Sequence, residues 1–216
     1  MAASLSTKPA RVGVLFAGGQ SRRMGGIEKG LMPLGGRPMM AHVIERLRPQ
    51  VSDLIINANG DAARFAGFAL PVVPDLTADF AGPLAGLLAG MEWTRAHRPD
   101  AAQVVTAACD TPFFPADLVA KLSGAAEAAG ADIALASSGG QGHFVFALWP
   151  VALAGDLAAY LGEGRRKVQD WIERHSYTVV PFSPREIGGA AIDPFFNVNT
   201  PDDLATAEAW LRKESA

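Results

Sequence analysis

Arg11-Val12-Gly13-Val14-Leu15-Phe16-Ala17-Gly18-Gly19 is the stretch on which the fold turns. An apolar run of strand length stops at once on paired glycines, as a buried strand does when it runs into a ligand-binding turn. The turn continues as Gln20-Ser21-Arg22-Arg23-Met24-Gly25-Gly26-Ile27-Glu28-Lys29. Its glycine pairs let backbone N–H groups approach a ligand that side chains would exclude. Arg22, Arg23 and Lys29 add three cations to the same loop. Backbone donors and cations directly after a first strand point to a polyphosphate. The spacing is not that of the P-loop, and Gly18-Gly19-Gln20 breaks the glycine-x-glycine step of the dinucleotide fingerprint.

Outward from this stretch, short apolar runs alternate with helical patterns. Strands are predicted at 53–57, 71–75, 103–108, 132–136, 143–149 and 177–182, with a polar loop over 137–142. Helices are predicted at 39–48, 82–97, 115–129, 151–161 and 166–175, the third closed by Gly130. A last helix runs to about 212, with Thr200 placed to cap it, Pro201 at its first position and Asp203 at its positive end. Strand–helix alternation implies crossover connections, hence an α/β fold with a mostly parallel sheet covered on both faces. Ligands in such sheets sit beyond the carboxyl ends of the strands. That rule selects Gly18 onward, Asn57, Asp75, Asp110 and Asn199.

Composition narrows the function classes. The 216 residues suit one domain, with an ordered core over about 11–212. Nineteen basic against 22 acidic residues give no broad positive field, which excludes a general nucleic-acid binder. The single cysteine, Cys109, can form neither an internal disulfide nor a zinc cage, so a reducing, cytoplasmic setting is expected. The most lipid-like stretch, 83–91, meets Glu92 and Arg95 well short of the ~20 residues a membrane span needs. Gly82, Gly86 and Gly90 repeat at four-residue spacing there, as expected of a soluble helix pressing a glycine face on a sheet.

Asp110 closes the apolar strand before it, so its carboxylate should project into the crevice of the glycine loop. A nucleoside triphosphate brings Mg²⁺, held by one or two carboxylates and the phosphates, and Asp110 is the candidate ligand. Asn197 and Asn199 share one face of an extended segment and offer donors and acceptors together. Asn57 and Asn59 repeat the spacing, although turn chemistry explains Asn59-Gly60 better. Cys109 has no partner base and reads as a small apolar group. The four histidines lack ligand spacing; only His143, opening a strand beside a polar loop, is a candidate for touching substrate. Arg165-Arg166-Lys167 follows Gly162-Glu163-Gly164 and suits a second anionic ligand or a solvated helix start.

With these motifs in order, the chain resembles the molybdenum cofactor guanylyltransferases. The segments that carry the likeness are 16–29, Gly82-Pro83-Leu84-Ala85-Gly86, Cys109-Asp110-Thr111-Pro112 and Asn197-Val198-Asn199-Thr200-Pro201. The first is shared across nucleotidyltransferases; its combination with the last is far more specific. The resemblance implies a Rossmann-like three-layer sandwich of nucleotidyltransferase type. It also implies transfer of GMP from GTP to the terminal phosphate of molybdopterin, with release of pyrophosphate. By the match, Phe16, Ala17, Gly18, Gly19, Lys29, Asn57, Asp75, Gly82 and Asp110 bind GTP, with Asp110 also holding Mg²⁺. Arg23 joins Lys29 and Asp110 at the triphosphate. Asn197 and Asn199, with Arg166 and Lys167, face the molybdopterin side, or the asparagines complete the metal site. The family usually carries Leu at the position of Phe16 and Asp at that of Glu28, which leaves the role of Glu28 open. Relatives that use CTP tend to carry alanine where Gly18 stands, so guanine is favoured. A transferase using CTP or a sugar-phosphate acceptor, and a non-catalytic nucleotide-binding module, are the alternatives. The implied partners, besides the two substrates, are cofactor-synthesis proteins and molybdoenzyme chaperones; neither nucleic acid nor membrane is expected.

Overall fold

A computed structural model describes residues 9–18, 28–76 and 82–214. Strand β1 (Arg11–Phe16) puts Val12 and Val14 on one face and Leu15 on the other, all fully buried. A 3-10 turn (Lys29–Leu31) leads into a small hairpin, β2 (Pro33–Leu34) and β3 (Arg37–Pro38), and then helix α1 (Met39–Leu47). Next come β4 (Asp53–Asn57), a 3-10 helix (Ala62–Phe68), β5 (Val72–Val73), α2 (Pro83–His97) and β6 (Gln103–Ala108). They are followed by α3 (Leu118–Ala129), β7 (Ile133–Ser138), β8 (Gln141–Pro150), α4 (Ala154–Gly162) and α5 (Val168–Ile172). The chain ends with β9 (Tyr177–Pro181), a hairpin of β10 (Arg185–Ile187) and β11 (Ala190–Ile192), and helix α6 (Pro201–Glu214).

The central sheet has seven strands in the order β5-β4-β1-β6-β8-β7-β9. Its pairs are parallel except that β8 runs antiparallel to both β6 and β7. Helices α1 and α3 cover one face, packing Val43, Leu47, Leu118 and Leu122 on Leu15, Ile56 and Val105. Helices α2, α4 and α5 cover the other, packing Leu87, Met91, Leu157 and Trp171 on Val12, Val14 and Val104. The α/β, mostly parallel, two-sided sheet is therefore as the strand–helix alternation requires. Gly90 lets α2 lie against the sheet, since a methyl there would come to 2.6 Å from Val14 Cγ2. Gly130 ends α3 in the left-handed region at φ 60°, as a C-capping glycine should.

Three local expectations change. The segment 137–142 is not a loop: Gly139 and Gly140, at φ 54° and 81°, make a two-residue turn, and β7 and β8 extend to meet it. Successive positive φ values give a turn whose twist matches the flanking strands, so the ladder continues to the tip. Helix 115–129 begins only at Leu118, and helix 166–175 contracts to Val168–Ile172. Two hairpins go unanticipated, β2/β3 and β10/β11. Strands of two and three residues cannot stand alone. They are held by a separate apolar cluster of Leu34, Met39, Phe113, Ile187, Val198 and Ala207, in which α6 takes part.

Candidate active site

A cleft of about 1070 Å³ opens along the carboxyl edge of the parallel strands and crosses the sheet from β4 to β8. At its β4 end, Asn57 is buried and lies over Gly86 of α2, where a methyl would approach its Oδ1 to 2.1 Å. Its Nδ2 donates to Val73 O at 3.1 Å and to Asp75 Oδ1 at 3.0 Å. Asn59 donates to the other oxygen, Asp75 Oδ2, at 2.8 Å and accepts from the Asp75 amide at 2.9 Å. Asn59 is therefore part of the cleft wall as well as the residue before a turn. Phe16, Ala17, Gly18 and Gly82 line the same end. Arg64, which sequence reasoning passed over, also lines it: it pairs with Glu28 and donates to Asn59 O at 2.6 Å. Burial pushes the Glu28 carboxyl above the usual range, and Arg64 opposes that shift. The side chain left without a role thus ties the Lys29 segment to the Asn59 turn.

At mid-cleft, three elements converge. Gly30 lets the 3-10 turn sit against Cys109, where a methyl would be 3.0 Å from Cys109 Cβ. That contact carries Lys29 over the end of β6, with Nζ 3.3 Å from Asp110 Oδ2 and hydrogen-bonded to Asn199 Oδ1. Thr111 Oγ1 reaches Asp110 Oδ1 at 3.4 Å and bonds Asn197 Oδ1. The 197–199 segment runs alongside the strand end, Val198 N donating to Asp110 O at 2.9 Å, and Val198 points into the core between the two asparagines. Its position is fixed by the start of α6. Asp203 Oδ2 accepts from the amides of Asn199 and Thr200, both at 2.9 Å, and Thr200 Oγ1 accepts from Asp203 N at 3.1 Å. The Thr200 cap is the one the sequence order predicts; the structure adds that Asp203, expected only as a charge at the helix's positive end, closes the cap reciprocally. Below, Arg46 donates to Pro112 O at 2.8 Å and Arg185 to Phe113 O at 3.2 Å. Both pair with Glu214, at 3.0 and 2.5 Å, so α6 clamps the loop after Asp110. No local pattern could have announced a triad drawn from α1, β10 and α6.

The β8 end is lined by Gln141 to Phe146 and by Val168. Arg166 and Lys167 precede Val168 but are not among the residues facing the cleft. Arg166 Nη1 donates to Leu161 O and Arg165 O, at 2.7 and 2.6 Å, while the Lys167 ammonium lies 3.7 Å from Asp170. Gly19 and Arg23, both sequence-predicted, lie outside the described residues, as does Arg22. Cys109 is buried, and desolvation, with Asp110 and Glu28 nearby, pushes its thiol up; it is no nucleophile.

The oxygen donors suit a hard divalent cation. Asp110 Oδ2 and Asn199 Oδ1 both aim at the Lys29 ammonium, so this part of the cleft already gathers positive charge with oxygen ligands. One carboxylate with neutral oxygens is the donor set Mg²⁺ takes when phosphates complete its shell. Among the described residues no cluster of three His, Cys, Asp or Glu offers a metal cage. No helix among them is long and apolar enough to cross a membrane.

Residues 13–179 match the model of the MobA-like NTP transferase domain. A molybdenum cofactor guanylyltransferase from a Bradyrhizobium species is 50% identical over 212 residues, 97% of each chain. Among solved structures, the molybdopterin-guanine dinucleotide biosynthesis protein A of Archaeoglobus fulgidus superposes with a TM-score of 0.71 at 25% identity, covering 94% of this chain and 99% of that one. A glucose-1-phosphate thymidylyltransferase of Bacillus anthracis shares the fold alone, with a TM-score of 0.70 at 14% identity over 94% of this chain and 96% of its own.

Proposed function

Because the chain belongs to the MobA-like NTP transferase family, and within it to the molybdenum cofactor guanylyltransferases, we propose how its cleft carries out that chemistry. The reaction is transfer of GMP from GTP to the terminal phosphate of molybdopterin. An oxygen of that phosphate attacks the α-phosphorus of GTP, a new P–O bond forms, and the bond to the bridging α–β oxygen breaks as pyrophosphate departs. A phosphate monoester is already largely ionised near neutral pH, so no general base is required. What remains is to align two anions and offset their repulsion.

GTP occupies the β4 end of the cleft in this reading. The backbone of 16–18 follows the nucleotide, and the Asp75 carboxylate accepts from the guanine N1–H and 2-amino group. Neither uracil nor cytosine offers that pair of adjacent donors. Asn57 and Asn59 hold both Asp75 oxygens in place for it. The triphosphate then reaches Lys29 at mid-cleft, joined by Arg23 and Gly19 of the glycine loop. Asp110, with the amide oxygens of Asn197 and Asn199 as further donors, would hold Mg²⁺. When bound, that ion offsets triphosphate charge and stabilises the departing pyrophosphate. Molybdopterin enters from the β8 end, past Val168, with Arg166 and Lys167 at its approach. One nucleotidyltransferase domain over 1–216, working in the cytoplasm and handing its product to molybdoenzyme chaperones, completes this reading.

The convergence of Lys29, Asp110, Asn197 and Asn199 between the two ends of one cleft carries the proposal. Its test is pyrophosphate release with GTP, CTP, ATP and UTP, each with molybdopterin. Turnover is expected with GTP, and Lys29→Ala or Asp110→Asn should lower kcat by about 10²–10³-fold, the scale of one lost electrostatic contact to a transition state. A near-normal kcat in either variant removes that residue from the mechanism.

A further inference from the structure

His143, Ser138 and Asp193 form a polar chain at the β8 end of the cleft that the chemistry above does not use. Ser138 Oγ lies 2.7 Å from His143 Nε2 and 2.7 Å from Asp193 Oδ1. The same Asp193 oxygen accepts from Phe195 N at 2.9 Å. The imidazole stacks on the Phe195 ring, centroids 4.5 Å apart, and Phe195 is in turn wedged between Phe146 and Phe182. The histidine ring is thus fixed in both tilt and rotation. Just beyond it β8 is bulged: Ala136 pairs with His143 and Leu135 with Ala147, so Phe144, Val145 and Phe146 swell out of the ladder.

The protons in this chain can be assigned. An ionised carboxylate only accepts, so the single hydroxyl proton of Ser138 goes to Asp193. Ser138 Oγ must then accept from the imidazole, which places the ring proton on Nε2. Nδ1 is left as a lone-pair acceptor in the cleft wall, with no partner among the described residues. Burial lowers the His143 pKa and outweighs the opposing pull of Asp193, so the ring stays neutral at pH 7 and Nδ1 stays unprotonated. The connectivity also excludes a serine nucleophile: that would need Ser138 to donate to an imidazole lone pair, whereas here it accepts.

We propose that His143 Nδ1, held unprotonated by the Ser138–Asp193 relay, accepts an N–H of the acceptor's fused heterocycle and so selects molybdopterin at the β8 end of the cleft. A pterin presents both ring N–H groups and an amino group. The strand order β4-β1-β6-β8 puts this atom across the sheet from Asn57 and Asp75, with Lys29 and Asp110 between. The inference rests on the assignment of GTP to the β4 end.

The experiment compares His143→Phe, His143→Asn and Ser138→Ala with Asn57→Ala, measuring KM for GTP and for molybdopterin separately. Phenylalanine keeps the stacking on Phe195 but has no acceptor, and should raise KM for molybdopterin about tenfold by leaving an N–H unpaired, with KM for GTP unchanged. Asparagine sets its amide oxygen where Nδ1 was and should restore most of the loss. In the full chain, long-range ¹H–¹⁵N correlation should show His143 as the Nε2–H tautomer, giving way to a mixture in Ser138→Ala. Wild-type KM for molybdopterin in His143→Phe, equal losses in the Asn and Phe variants, or an Nδ1–H tautomer would each overturn the inference. If Asn57→Ala still raises KM for GTP, the assignment of the two ends survives that failure. A His143→Phe variant whose KM rises for GTP instead defeats both.

Discussion

Replacing Gly86 with alanine sets helix propensity against site geometry, and the two act on different observables. The new methyl would lie 2.1 Å from Asn57 Oδ1, 2.8 Å from Asn57 Cγ and 3.0 Å from Phe16 Cε1. The helix itself gains about 1 kcal/mol from losing a glycine. Overpacking costs about 1–3 kcal/mol, so the net loss of stability is roughly 0–2 kcal/mol. In a chain of this size that lowers Tm by no more than about 8 °C. The cheapest relief is for the Asn57 amide to swing away, because the sheet backbone beneath it cannot. Its bonds to Asp75 Oδ1 and Val73 O then break, and Asp75 is held by Asn59 alone. Losing one or two such hydrogen bonds costs about 1–3 kcal/mol, which predicts a rise of roughly 5–150-fold in KM for GTP. Gly90→Ala is the control one turn along the same helix face. Its methyl meets Val14 Cγ2 at 2.6 Å and Cγ1 at 3.0 Å, a purely apolar clash with no line to the site. Thermal melting by circular dichroism and pyrophosphate release at saturating molybdopterin separate the two. The reasoning fails if Gly86→Ala keeps a wild-type KM for GTP, or if Gly90→Ala raises it equally.

Three further outcomes follow from the same geometry. Chelation with EDTA should stop turnover and Mg²⁺ restore it, and Asp110→Asn should need more Mg²⁺ for half-maximal pyrophosphate release; an unchanged Mg²⁺ curve would take Asp110 out of the metal site. Cys109 should resist iodoacetamide in the folded chain and react on unfolding, and Cys109→Ala should keep activity, because burial holds the thiol protonated. Asp203 has a pKa below the carboxylate norm, chiefly through the Asn199 amide, so its charge stabilises the fold above about pH 4 and that gain fades as pH falls through the folded value. Asp203→Asn should therefore melt about 2–4 °C below wild type at pH 7, with the gap closing in acid; a gap that stays constant with pH would show that the cap does not depend on charge.

What the sequence disclosed depended on how local each cause was. Alternation of Val12, Val14 and Leu15 needs only the two-residue period of a strand, so β1 and its faces were legible, and with them the crevice edge where Asn57, Asp75 and Asp110 lie. The Thr200-Pro201-Asp203 cap is equally local. The Arg46–Glu214–Arg185 clamp was not legible, because its members meet only through the apolar cluster that seats α6. Nor was the Asn57–Asn59–Asp75 lattice, since turn chemistry accounts for Asn59 until β5 is laid beside β4.

The glycine pairs show where a readable signal went unread. Gly35-Gly36, Gly139-Gly140 and Gly188-Gly189 each take positive φ at both positions, 59° and 77°, 54° and 81°, 55° and 79°. Each closes a two-residue hairpin, the conformation glycine adopts most cheaply. Taken as loop residues, they hide three antiparallel pairings. The middle one matters most, because it reverses the chain inside an otherwise parallel sheet. The rule that ligands lie beyond strand ends holds only for strands running one way; in a reversed strand the same edge is its beginning. His143 stands near the start of β8 and is brought to the cleft by that reversal alone. A search for site residues after strands could not select it, whereas the Gly139-Gly140 pair, read as a hairpin turn, puts the start of β8 beside the end of β7, at the sheet edge where β1 and β6 also end, and thereby at the cleft.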